Sequence, residues 1–68
     1  MKLVDVYNKV TGENVTVKNK RYDLVLTGMW KVKEATTLED AILAAETFLE
    51  IPPERSQEFA EKVRELCG

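Results

Sequence analysis

The sequence predicts an α+β fold: an N-terminal β-hairpin, a third antiparallel strand, and two C-terminal helices packed on the sheet. Three observations carry that prediction. Apolar and polar residues alternate over residues 3–7 and 14–18, a glycine-containing turn separates those segments, and the apolar spacing lengthens to three or four residues beyond Thr36. The 68 residues leave room for one small domain, 1–68.

In the first predicted strand, Val4 and Val6 share one face while Leu3, Asp5 and Tyr7 take the other. In the second, Val15 and Val17 lie opposite Thr16. Gly12 between them suits the left-handed backbone that closes a hairpin. Residues 19–28 fit two patterns. Tyr22, Leu24 and Leu26 alternate as a strand requires, whereas Tyr22, Val25, Leu26 and Met29 have helical spacing. The second pattern gives a short helix at 19–27, capped by Asn19 and ended by Gly28, followed by a strand over 29–33 with Trp30 and Val32 on one face.

The second half reads as a helical pair. Thr36 or Thr37 caps the first helix, with Glu39 or Asp40 completing the cap, and Leu38, Ala41, Ile42, Ala45, Phe48 and Leu49 form its apolar stripe. The Pro52-Pro53 pair breaks it, and Pro53 fits the first turn of the next helix. Phe59, Val63 and Leu66 mark the inward face of that helix.

Composition removes much catalytic chemistry. There is no histidine, one cysteine and one serine, so imidazole catalysis, Cys/His zinc patterns and an intrachain disulfide are excluded. The reading is a non-enzyme that needs no cofactor and holds no metal. The single Cys67 and the absence of an apolar leader or membrane-length run point to the cytoplasm.

The net charge of −2 conceals two opposite halves. Residues 1–33 carry seven basic side chains against three acidic, and residues 34–68 carry three against nine. Mutual attraction of the halves is the simplest expectation. The one basic cluster, Lys18-Asn19-Lys20-Arg21, and the nearby aromatics define a candidate interaction surface of Lys18, Lys20, Arg21, Tyr22, Trp30 and Lys31. Its expected occupant is a protein partner or a second copy. The alternative is nucleic acid, with Tyr7, Tyr22 and Trp30 stacking bases while lysines meet phosphates.

Two resemblances add to this. Over residues 4–33, Val6-Tyr7-Asn8, Thr11-Gly12-Glu13, Val15-Thr16-Val17, Leu24-Val25-Leu26 and Gly28-Met29-Trp30-Lys31-Val32 resemble small phage and Mu-like prophage accessory modules. That resemblance implies a short helix at 19–27, a strand opening at Trp30, and a structural or accessory role without catalysis. Thr37-Leu38-Glu39-Asp40-Ala41-Ile42 with Ala45-Glu46 is similar to the helix start of HicB-type antitoxins, which follows a three-stranded sheet. That similarity implies a regulator that binds a toxin. The Pro-Gly-Cys segment that precedes this helix in the antitoxins is absent from the chain.

Overall fold

Leu3, Val6, Tyr7 and Val10 stand at i, i+3, i+4 and i+7, and in the computed structural model, which describes residues 2–67, they build a helix where a strand was expected. Helix α1 spans Leu3–Thr11, α2 Tyr22–Glu34, α3 Leu38–Phe48 and α4 Pro53–Cys67. No strand occurs among the described residues, so the fold is all-helical and the predicted α+β class, hairpin and sheet are corrected. Alternation failed as a guide at residues 3–7 because a strand would leave either Val4 and Val6 or Leu3 and Tyr7 off the core. The helix buries all four.

Gly12 does adopt the left-handed conformation, at φ 77°, but it closes α1 rather than a hairpin, and its N–H donates to the Asn8 carbonyl at 2.8 Å. Residues 14–18 run as a loop. The Asn8 side chain supplies what a neighbouring strand would have supplied. Its Oδ1 accepts from the Val15 N–H and its Nδ2 donates to the Val15 carbonyl, each at 2.8 Å. Val15 is buried, whereas Val17 is 75% exposed, so the two do not share a face. Beyond Val15 the chain turns tightly, with the Asn19 N–H on the Thr16 carbonyl at 2.9 Å and Asn19 Oδ1 accepting from the Thr16 N–H at 2.8 Å. That use of its side chain takes Asn19 away from the predicted capping role, and Arg21 occupies the cap position.

Helix α2 runs through Gly28 and absorbs the strand expected at 29–33. Gly28 is there for proximity: a Cβ at that position would overlap Leu49 Cδ2 and Cγ, so the Leu49 side chain lies against α2 in space that glycine leaves free. Val25, Met29 and Val32 follow the same stripe into the core, and Trp30, turned away from it, is 46% exposed.

The C-terminal pair occupies the predicted segments. Thr37 caps α3, its Oγ1 accepting from the Asp40 N–H at 3.1 Å. Glu50 ends α3 in the left-handed region at φ 56°, and Pro53 opens α4. The two helices pack on α1 and α2 instead of a sheet. Tyr7 meets Phe59 edge to face, with ring centroids 6.1 Å apart, and Ala41, Ala45 and Ala60 allow close helix contact. The buried Ser56 ties α4 to α3 by donating to Glu46 Oε2 at 2.6 Å. Arg64 reaches from α4 to the Ala35 carbonyl at the end of α2. Among the described residues, no helix is long and apolar enough to cross a membrane.

Candidate functional site

Where α1 ends, the chain turns outward through Glu13 and returns at Arg21, leaving a cleft of about 260 Å³ against the α3–α4 junction. Its apolar lining comes from three places. Helix α1 gives Tyr7 and Val10, the junction gives Leu49, Ile51 and Pro52, and α4 gives Phe59. Charge is confined to the remaining walls, with Glu13 and Arg21 on one side and Glu50, Arg55 and Glu58 on the other.

A three-membered network fixes the first wall. The Tyr7 hydroxyl donates to Glu13 Oε2 at 2.7 Å. Arg21 spans both groups, with Nη1 3.0 Å from Glu13 Oε1 and Nη2 donating to the Tyr7 oxygen at 3.2 Å. The phenol therefore donates once and accepts once, which satisfies it. Burial, and then the hydrogen bond to Glu13, push the Tyr7 pKa up and keep the phenol neutral. The Tyr7 hydroxyl, and then Arg21, hold the Glu13 carboxyl below its ordinary value. Glu13 raises that of Arg21 in return.

Arg21–Glu13 is the only ion pair within 4 Å among the described residues, and it lies within the basic half of the chain. The expected attraction between halves is thus not realised as direct ion pairs. The opposite wall differs accordingly: Glu50, Arg55 and Glu58 stand exposed, and among the described residues none has an oppositely charged partner within 4 Å.

Of the six residues singled out from sequence, Arg21 is the one that lines the cleft. Lys18 and Lys20 stand exposed in the loop before α2, and Arg21 belongs to the cleft network. Tyr22 is half-buried against the core. Trp30 and Lys31 lie about two turns further along α2 and, as sequence neighbours, are rotated by about 100° from each other. Lys31 Nζ sits 5.8 Å over the Phe48 ring, while it is Lys33 that covers Trp30, at 5.0 Å. Tyr7, the third aromatic of the expected stacking platform, is 1% exposed and packed inside.

Sequence reasoning missed Glu13, Glu50, Arg55 and Glu58 as site residues, and it had Tyr7 only as a stacking aromatic. The available signal was the helical spacing of Leu3, Val6, Tyr7 and Val10 ahead of Gly12. Once residues 3–11 are a helix ending at Gly12, Glu13 must emerge beside the last turn that carries Tyr7 and Val10.

No protein-family model matches this chain, and neither does any curated protein or solved structure.

Proposed function

We propose that the chain is a small non-catalytic protein-interaction module whose cleft seats one side chain of a protein partner. The observation that carries this reading is the cleft itself, a mixed site where apolar side chains from α1, the α3–α4 junction and α4 meet the charged groups of Glu13, Arg21, Glu50, Arg55 and Glu58. Its volume of about 260 Å³ decides the size of the occupant. Sites that enclose drug-sized ligands run from about 300 to 1,000 Å³, so this one suits a single large side chain better than a cofactor. The prophage-accessory resemblance and a reducing cytoplasm around the free Cys67 are compatible parts of the same proposal.

A base-stacking function has less support, because Tyr7 is inside, Tyr22 is half-buried, and Arg21 is engaged with Glu13 and Tyr7.

Capture experiments with the tagged chain and with Val10→Trp, which fills the cleft, test the proposal, with circular dichroism verifying the fold of the variant. The expected result is a protein retained by the natural chain and lost with Val10→Trp. Identical capture by both, or binding only to oligonucleotides by fluorescence anisotropy at low salt, overturns it.

A further inference from the structure

We infer that the partner segment presents a large apolar side chain directly beside a lysine or arginine, an assignment that rests on the interaction-module reading and names the chemistry of its occupant. The argument is one of charge left over. On one wall, Glu13 and Arg21 neutralise each other at 3.0 Å, and Arg21 is further held by the Tyr7 hydroxyl. On the other, Glu50 and Glu58 face solvent with Arg55 as the single basic group among them, and no pair forms within 4 Å among the described residues. The unspent charge of the cleft is therefore negative by one. Helix α3 ends at this wall with no basic residue in its last turn, so the partial negative charge of its C-terminus also favours a cation.

Glu50, just past the end of α3, brings one of these carboxylates to the cleft. An apolar group entering between Tyr7, Ile51 and Phe59 leaves its sequence neighbour at the cleft walls, and of these the wall of Glu50 and Glu58 is the one with unspent charge. A cationic neighbour meets two carboxylates there; an acidic neighbour meets both repulsively and gains only Arg55.

The test is NMR titration of the isotope-labelled full chain with two capped dipeptides, N-acetyl-Trp-Lys-amide and N-acetyl-Trp-Glu-amide. Shifts are expected at Val10, Ile51 and Phe59 with both, and binding about two- to fivefold tighter for the lysine peptide at low ionic strength, the range an exposed ion pair supplies. The preference should disappear in Glu50→Gln/Glu58→Gln. Equal or reversed preference overturns the cationic assignment while leaving the cleft as a side-chain site. Shifts elsewhere, or no binding of either peptide, overturn it together with its premise. Sedimentation of the chain alone completes the test: a dimer whose formation shifts the same cleft resonances makes a second copy the occupant and overturns the separate partner.

Discussion

Replacing Gly28 with alanine probes the tightest point of the fold. The added methyl would lie 2.3 Å from Leu49 Cδ2, 2.7 Å from Leu49 Cγ and 3.4 Å from Phe48 Cβ. Favourable carbon–carbon separation is about 3.5–4.0 Å, so Leu49 must retreat by about 1 Å or more. Because Cγ clashes as well as Cδ2, rotating the tip alone does not clear the space. Overpacking of this kind costs about 1–3 kcal/mol, and alanine returns about 1 kcal/mol in helix propensity. The expected net loss is about 1 kcal/mol, or a fall of about 4–8 °C in Tm for a domain of this size. Thermal and urea unfolding of Gly28→Ala, Leu49→Ala and the double variant form the assay. Leu49→Ala alone should cost about 2–4 kcal/mol. In the double variant the methyl enters the vacated space, so the combined loss should fall short of additive by about 1 kcal/mol. Strict additivity, or a higher Tm in Gly28→Ala, would falsify the account of Gly28 as a close-approach residue.

Three further outcomes follow from the cleft and its supports. Tyr7→Phe removes the hydroxyl that links Glu13 to Arg21 and should lower stability by about 1 kcal/mol in urea unfolding, with Val10 and Phe59 resonances showing the cleft retained. The same network sets a pH window. The depressed Glu13 carboxyl contributes stability above the unfolded value of about 4.3, lost as pH falls through its lower folded value. The raised Tyr7 phenol contributes stability below about pH 10, lost as pH rises through its higher folded value. Unfolding midpoints measured from pH 2 to 11 should fall at both ends, and Tyr7→Phe should flatten the alkaline arm. Glu50→Gly relieves a left-handed backbone that costs a side-chain-bearing residue about 1–2 kcal/mol, offset by about 0.5–1 kcal/mol of glycine entropy. Calorimetry should show a Tm higher by a few degrees, alongside a weaker preference for the lysine peptide.

The C-terminal half was legible because its signals agree with one another. Thr37 ahead of Asp40, a stripe spaced by three and four, and Pro53 at a helix start all point to the same elements. In the N-terminal half, each local signal has two valid readings. Leu3, Val4, Val6 and Tyr7 satisfy both a period of two and a helical face, and only the longer view that includes Val10 separates them. Gly12 takes the conformation its type favours, yet a left-handed glycine serves a helix end as well as a hairpin. Gly28 looked like a stop because nothing in its neighbourhood reveals that Leu49, twenty-one residues on, will press against it. The cleft was hidden for the same reason. Lys18 to Tyr22 are contiguous in sequence, but the cleft is assembled from Tyr7, Glu13, Arg21, Glu50, Arg55 and Glu58, which only the packing of α1 against α4 brings together.

The bracket that Asn8 places around Val15 has a kinetic consequence. The loop between Gly12 and Arg21 carries Glu13 and leads into Arg21, the two charged groups of one cleft wall, and its anchorage to α1 includes those two side-chain bonds and the burial of Val15. The Val15 amide proton cannot exchange with solvent until the Asn8 bond breaks. Its exchange rate is therefore a clock for that wall. Occupation of the cleft should slow the clock, and Asn8→Ala should let it run fast while amides in the middle of α3 keep their pace.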